Sequence, residues 1–151
     1  MANTFYQVYI HYIFSTKNRK PLIRPEFEKR LWSYISGIGN EQGYPVLAIG
    51  GMADHLHILV SLSPTVSFSK TIQSLKGSSS KWMNDNFYED SRQFKWQSGY
   101  GAFSIGRSGL TSTKKYIHNQ KKHHHNRTYE EEFLGFLKKY QIEYDERFLW
   151  G

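Results

Sequence analysis

Two histidines, His55 and His57, stand two residues apart in a stretch whose composition predicts a β-strand. Alternate residues of a strand share a face and lie about 6.6 Å apart along its axis, so the two imidazoles could close on one metal ion. Leu56 and Ile58 then point to the opposite face, towards an apolar layer. The pair alone is equally compatible with two polar residues on a solvated sheet face. Asp54 precedes the pair and points to the other face of an ideal strand, which makes it a poor ligand candidate.

A second pair, Tyr116 and Gln120, is spaced four residues apart in a helix-compatible segment. Residues i and i+4 are neighbours on a helix, so these two side chains share a face. A phenol can attack phosphorus, and an amide carbonyl can bind a hard cation. One tyrosine among eleven is ordinarily a core or surface residue. It is therefore the combination of this pair with the histidines that indicates a site.

With these motifs the chain resembles the single-tyrosine HUH transposases of bacterial insertion sequences and their repeat-associated relatives. The marks of that family are a His-hydrophobic-His strand and a Tyr-x-x-x-Gln helix, which correspond here to residues 55–57 and to Tyr116 with Gln120. The supporting matches are the Gly-Gly-Met-Ala-Asp lead-in at 50–54, the Leu-Lys-Gly-Ser-Ser run at 75–79 and the Tyr-Asp-Glu-Arg-Phe tail at 144–148. The resemblance covers nearly the whole chain.

The resemblance implies a metal-assisted DNA strand-transfer enzyme in which Tyr116 is the nucleophile. His55, His57 and Gln120 would hold a divalent cation, Mg²⁺ or Mn²⁺. The ligand types alone lean to Mn²⁺, because imidazole suits transition metals. The implied partners are single-stranded DNA with a hairpin near the element end and a second copy of the chain. In some members of the family the tyrosine helix of one subunit of the dimer completes the histidine pair of the other.

The expected reaction exchanges one P–O bond for another. The Tyr116 hydroxyl attacks phosphorus, the deoxyribose 3′ oxygen leaves, and a 5′-phosphotyrosyl link forms. Such a step is nearly reversible and needs no ATP. Because a phenol has a pKa of about 10, a nearby cation and basic residues are needed to favour the phenolate at neutral pH.

The distribution of charge points to a polyanionic partner. The formal net charge is +7, and residues 91–129 contain no Asp or Glu. A merely soluble basic face would show the same pattern, but this block also contains Tyr116, which favours a partner that bears phosphate. Residues 123–125 are three consecutive histidines. On a helix they splay apart, so we expect them to contact phosphate or to stabilise a helix C-terminus, not to bind one metal.

We expect basic residues of three regions to contact the DNA backbone: the loop after the first strand, the second helix and the segment around the tyrosine. They are Lys17, Arg19, Lys20, Lys76, Arg107, Lys114, Lys115 and Lys121. The alternative for each of them is an ordinary solvated loop or helix face.

The elements that must position these residues follow the order β-α-β-β-α-β. The predicted strands are residues 5–14, 44–50, 54–61 and 94–97, with a short extra strand at 102–105, and amphipathic helices at 25–43 and 68–83 lie between them. This order is typical of an α+β, ferredoxin-like split β-α-β fold, an antiparallel sheet with helices on one face. We expect the open face to carry the two histidines.

Two further helices are predicted after this core. Residues 111–125 form the appended nucleophile helix, whose polar composition suits a surface or a partner. Thr128 and Glu131 form a capping box that begins the last helix. We interpret Glu130 to Glu132 as a first turn that favours the helix dipole, not as a catalytic cluster. His11, on the mixed face of the first strand, could line the active face, but we expect it to be a structural or surface residue.

The bulk properties set wider limits. A length of 151 residues predicts one domain. The absence of cysteine excludes disulfides and thiolate metal sites and fits a reducing compartment. We find no signal-peptide pattern and no apolar run of about 20 residues, so we expect a cytoplasmic protein that has no membrane partner.

Three functions fit these observations. The first is an active single-strand DNA transposase. The second, with the same chemistry, is a nickase or recombinase that acts on repeats outside a mobile element. The third is a nucleic-acid-binding module without catalysis, because sheets of this kind often serve RNA binding. An aromatic ladder on the open sheet face, with Phe5 and Tyr9 as candidates, would favour the third.

Overall fold

A four-stranded antiparallel sheet forms the centre of the computed structural model, which describes residues 3–89, 93–123 and 126–151. The strands are β1 (Tyr9–Ser15), β2 (Val46–Met52), β3 (His55–Ser61) and β4 (Gly101–Ile105), in the spatial order β2-β3-β1-β4. Helix α1 (Glu28–Gln42) joins β1 to β2, and helix α2 (Phe68–Phe87) joins β3 to β4. This is the split β-α-β arrangement, so the predicted α+β fold class is confirmed.

Helices α1 and α2 cover the first face of the sheet and form the main core. Alternate residues of β1 and β3, such as Tyr12, Phe14 and Ile58, are buried against them. The helices contribute apolar side chains at helical spacing, which are Leu31 and Ile35 from α1 and Ile72, Leu75 and Met83 from α2. Because each fully buried side chain of this size stabilises the fold by about 1.5–3 kcal/mol, this layer fixes the sheet on which the histidines stand.

The second face of the sheet, which is predicted to be open, is covered as well. Helices α3 (Leu110–His118) and α4 (Gln120–His123) and helix α5 (Tyr129–Lys139) follow β4. Ile117 of α3 packs with Ala48 and Leu59. The apolar stripe of α5 packs against Ile13 and Phe103. These apolar faces would otherwise meet water, and packing them on the sheet buries the histidine pair between them.

Several predicted boundaries differ in the structure, and the three largest differences concern the first strand, the fourth strand and the nucleophile helix. The first strand begins at Tyr9 rather than at residue 5, and Phe5 is 93% exposed. The fourth strand is the segment 101–105, which pairs with β1, whereas Trp96 makes only an isolated bridge with Thr16. The predicted helix 111–125 is broken at Asn119. Of the histidines at 123–125, His124 and His125 lie outside the described residues, and so does Arg92 of the basic block 91–129.

Tertiary contacts explain why residues 94–97 do not form the edge strand. The side chain of Asn84 in α2 accepts from the Phe94 amide at 2.8 Å and donates to the Phe94 carbonyl at 3.0 Å. Both backbone groups are therefore satisfied without a sheet partner. The aromatic rings of Phe94 and Trp96 are buried in the main core, and β1 is left to pair with β4.

Lys76 of α2 holds the following loop. Its ammonium donates to the carbonyls of Gln97, Ser98 and Gly99 at 2.6, 3.3 and 3.0 Å. Burial lowers the pKa of Lys76 to about 8, while three carbonyl acceptors favour the charged form. Lys76 therefore has a structural role in addition to its predicted contact with DNA.

We expect the substitution Lys76→Met to lower the free energy of unfolding by about 1.5–3 kcal/mol at pH 7, because the carbonyls lose a charged donor. Urea denaturation measures this. The control is Lys70→Met, at an exposed position of the same helix, which should change the value by less than about 0.5 kcal/mol. Equal, small effects of the two substitutions would contradict the structural role of Lys76.

In the ranges that the structure describes, no helix combines the length and the apolar character that crossing a bilayer requires.

Candidate active site

His55 and His57 lie side by side on β3 with no solvent exposure, and their ring centroids are 5.4 Å apart. Both Nε2 atoms face the same carboxylate oxygen, Oε1 of Glu132. The distance is 3.5 Å from His55 and 2.7 Å from His57. The two imidazoles therefore converge on one buried point.

The other ring nitrogen of each histidine, Nδ1, is hydrogen-bonded to a neighbouring side chain. Nδ1 of His55 lies 2.7 Å from Oδ1 of Asp54, so this N–H donates to a carboxylate and leaves the Nε2 lone pair facing the site. Asp54 thus contacts the pair on the side away from the convergence point. The alternation of a strand makes Asp54 a poor ligand candidate, and it gives no sign that Asp54 orients His55.

His11 orients the second histidine. Its Nε2 lies 2.8 Å from Nδ1 of His57, and its side chain is buried. Burial, followed by the charge of His57, holds the pKa of His11 well below its ordinary value. A neutral His11 can accept a hydrogen bond from the Nδ1–H of His57, which leaves the Nε2 lone pair of His57 available for a ligand. Of the two interpretations of His11, the structure favours the one in which it lines the active face, since it is buried and contacts His57.

Glu132 lies in the first turn of α5, as predicted. Its side chain, however, does more than favour the helix dipole, because it is fully buried between the histidines and the tyrosine. Its Oε2 accepts a short hydrogen bond from the Tyr116 hydroxyl and a longer one, 3.3 Å, from Nε2 of Gln120. The sequence did carry a signal: Glu132 falls on the same helical stripe as Tyr129, Phe133 and Phe136.

Gln120 brings an amide oxygen to the histidines. Its Oε1 lies 3.1 Å from Nε2 of His55. The orientation of the amide follows from its nitrogen, which donates to Glu132 and to the carbonyl of Tyr116. A lone-pair nitrogen, an amide oxygen and a carboxylate oxygen thus face one another, and they repel unless a proton or a metal ion lies between them.

Ligand atoms of His55, His57 and Glu132 lie within 4.8 Å of one another. Nitrogen and oxygen donors at this spacing, with their other atoms held by Asp54 and His11, fit a divalent metal ion. These residues could therefore hold a metal ion, and the geometry alone does not select one metal.

Tyr116 lies at the edge of this cluster, in the same chain as the histidines. Its ring centroid is 5.6 Å from that of His57, and its side chain is half-buried. Burial, then the hydrogen bond to Glu132 and the charge of that carboxylate, raise the pKa of Tyr116 above its ordinary value, while Arg127 acts in the opposite direction. The phenol is thus neutral in this arrangement, with its proton directed at a carboxylate.

The residues predicted to contact DNA lie in several environments. Lys17, Lys20, Arg107 and Lys115 are exposed, and Lys114 is half-buried. Two others have partners within the chain. Lys121 pairs with Glu28 at 2.8 Å, and Arg19 lies 3.6 Å from Glu130. With Lys76 bound to carbonyls, the exposed residues are the better placed to reach a phosphate, and contact with DNA stays a prediction for all eight.

Solved structures define the class of fold. A candidate transposase from Deinococcus radiodurans superposes with a TM-score of 0.64 at 22% identity, covering 80% of this chain and 95% of that one. A REP-associated tyrosine transposase bound to a REP hairpin superposes with a TM-score of 0.57 at 14% identity, covering 79% and 71%. At these identities the likeness concerns the fold.

Sequence comparison gives the family. Residues 4–120 match the family described as "Transposase IS200 like", so the chain belongs to that family. It is 24% identical over 119 residues to the ISDra2 transposase TnpA of Deinococcus radiodurans, covering 76% of this chain and 85% of the relative. It is 26% identical over 125 residues to the transposase for insertion sequence element IS200 of Salmonella typhimurium, covering 80% and 81%. The family match ends at Gln120, so α5 and Glu132 lie beyond it.

Proposed function

We propose that this transposase cleaves and rejoins single-stranded DNA by transesterification, with Tyr116 as the nucleophile. The observation that carries the proposal is the convergence, within one chain, of a phenol, a buried carboxylate and two imidazole Nε2 atoms. A nucleophile, a proton acceptor and a cation site are the groups that such a reaction requires. Membership of the family supports DNA as the substrate.

In the proposed step the Tyr116 oxygen attacks phosphorus in line while its proton passes to Oε2 of Glu132. The bond from phosphorus to the deoxyribose 3′ oxygen breaks, and the leaving oxygen takes up a proton from water to become a free 3′-OH. The downstream strand remains on Tyr116 through its 5′ phosphate. Attack by a different 3′-OH reverses the step and joins two strands.

His55, His57, Gln120 and Glu132 would hold the divalent cation, which we propose is Mg²⁺ or Mn²⁺. Two imidazole nitrogens favour Mn²⁺, and two oxygens are compatible with either ion. When bound, the cation would polarise the phosphoryl oxygens and favour the phenolate. Glu132 has one oxygen towards the imidazoles and one towards the phenol, so it would keep the nucleophile next to the cation.

The proposed partners are single-stranded DNA that contains a hairpin and a second copy of the chain. Each chain offers one candidate nucleophile, whereas moving a DNA segment needs two cleavages. Tyr116 lies at the histidines of its own chain, so a dimer is proposed for the second cleavage and not to complete the site. The covered second face weakens the alternative of a non-catalytic sheet surface, because Phe5 lies before β1 and α3 and α5 occupy that face.

The test uses a pool of single-stranded oligonucleotides, each with a hairpin and a randomised flank, incubated with the protein and Mn²⁺. A 3′ label should migrate with the protein on a denaturing gel, because the downstream strand stays on Tyr116. A 5′ label should appear on a shorter free strand that a polymerase can extend. EDTA should abolish both products. Cleavage without the adduct, or no cleavage of any member of the pool, would overturn the proposal.

Gly50 of β2 sets how closely the nucleophile helix approaches the sheet. A Cβ built there would lie 2.4 Å from the carbonyl oxygen of Ile117, so an alanine must push α3 away. We expect Gly50→Ala to slow adduct formation by at least about 10-fold, since misplacement of a reacting group by about 1 Å can cost 10²-fold.

The control for this substitution is Gly37→Ala, where a Cβ meets nothing within 4 Å. Single-turnover rates of adduct formation at saturating Mn²⁺ compare the two variants. Equal rates for Gly50→Ala and Gly37→Ala would refute the positioning role of Gly50.

A further inference from the structure

A cavity of about 340 Å³ lies beside Tyr116, between α3 and α5. Its volume is at the small end of the range for small-molecule sites, about 300–1,000 Å³, which is enough for a group the size of one nucleotide. Tyr116 forms part of its wall, and His11 reaches it from β1. Anything bound in the cavity is therefore next to the proposed nucleophile.

The lining of the cavity is basic and hydroxylated along one part. Arg127 and Lys139 contribute cations, and Ser112 and Thr113 contribute hydroxyl groups. Among the described residues that line it there is no Asp or Glu. The charge of Arg127 reaches the phenol, since it acts to lower the pKa of Tyr116. Such a lining favours an anion, and a phosphate group can use both the cations and the hydroxyl donors.

Gly135 allows Arg127 to lie across α5. A Cβ at Gly135 would be 3.1 Å from Nη2 of Arg127, tighter than an ordinary contact. The small residue thus leaves room for the guanidinium beside the cavity.

The rest of the lining is aromatic. Phe136 and Tyr140 border the cavity, and both are half-exposed. Their rings are nearly parallel, at an interplanar angle of 7°, and Phe103 lies close to parallel with both. Aromatic side chains beside a basic surface are the usual means of holding an unpaired base of a single strand.

We propose that this cavity binds one nucleotide of the substrate strand next to the scissile phosphate. Its base would lie against Phe136 and Tyr140, and its phosphate between Arg127 and Lys139. This inference rests on the proposed function, because it takes the ligand to be the DNA strand that Tyr116 attacks. Arg127 and the residues of α5 lie beyond the family match at residues 4–120, so half of the residues that line the cavity belong to a part of the chain that this match does not cover.

The test places the fluorescent base 2-aminopurine in turn at every position of the single-stranded flank of a hairpin oligonucleotide. Binding is measured with a Tyr116→Phe background, so that no chemistry interferes. One position should be quenched by stacking. Ser112→Trp, which fills the cavity from its exposed edge, should abolish that quenching and weaken binding by about 10-fold. The control is Thr111→Trp, at an exposed position of the same helix that does not line the cavity.

A second pair of variants tests the phosphate contact without added bulk. Lys139→Gln should weaken binding and reduce its dependence on salt, whereas Lys138→Gln, exposed but outside the cavity, should change both less. Indistinguishable behaviour within each pair would overturn the cavity proposal even if the wild-type protein forms the adduct. Quenching that responds to Ser112→Trp, in a protein that forms no adduct, would support the cavity and refute the transesterification instead.

Discussion

Tyr116→Phe should reduce the covalent protein–DNA adduct to background while leaving affinity for the hairpin oligonucleotide within about threefold of the wild-type value. The substitution removes only the hydroxyl that donates to Glu132, and with it the one atom proposed to attack phosphorus. The ring, which packs near His57 and Phe136, is retained. Denaturing gels of 3′-labelled DNA and equilibrium binding measure the two quantities.

Tyr129→Phe is the matched control. The ring of Tyr129 is 5.1 Å from that of His55, but its hydroxyl donates to Gln97 at 2.8 Å, away from the convergence point. This variant should keep the adduct, although the lost hydrogen bond costs it about 1 kcal/mol of stability. Adduct formation by Tyr116→Phe at the wild-type level would refute the nucleophile assignment.

Removal of a proposed ligand should have the second large effect. We expect His57→Ala to weaken Mn²⁺ binding at least about 100-fold and to abolish metal-dependent cleavage, because one convergent Nε2 is lost. Glu132→Gln keeps the shape of the side chain but removes its charge, so we expect Mn²⁺ binding about 10-fold weaker or more and slower adduct formation. Calorimetry with Mn²⁺ alone gives the affinities without reference to activity.

Glu131→Gln is the control for the metal site, since Glu131 is exposed on the first turn of the same helix and Gln also suits a capping box. Its Mn²⁺ affinity should equal that of the wild type. If both His57→Ala and Glu132→Gln bind Mn²⁺ with the wild-type affinity, the proposed metal site is refuted.

Sequence patterns predicted what depends on local periodicity. A spacing of two in a strand puts His55 and His57 on one face, and the order of elements gives the sheet on which they stand. The side chains of Tyr116 and Gln120 lie close together, as the spacing of four predicts, although the helix is interrupted at Asn119 between α3 and α4. Each of these features could be predicted because it depends only on the geometry of one helix or strand, or on the order of the elements in the chain.

Contacts between distant segments were not predictable in the same way. Glu132 lies on a different helix from the histidines and the tyrosine, and its first-turn position indicates a residue that favours the helix dipole. Only its place on the apolar stripe of α5 indicates burial. Two segments, 94–97 and 101–105, could pair with β1. The choice depends on whether Asn84 satisfies the backbone of Phe94, and no local sequence pattern predicts that contact. The role of His11 likewise follows only from the register of β1 against β3, which sets it beside His57.

The most direct measurement is mass spectrometry of the adduct. After nuclease and trypsin treatment, the peptide that follows Lys115 and ends at Lys121 should carry a nucleotide remnant, and fragmentation should locate it on the oxygen of Tyr116. A remnant on another residue, such as Tyr129 or Tyr140, or an adduct whose bond is not a phosphotyrosine, would contradict the proposal that this phenol attacks the DNA.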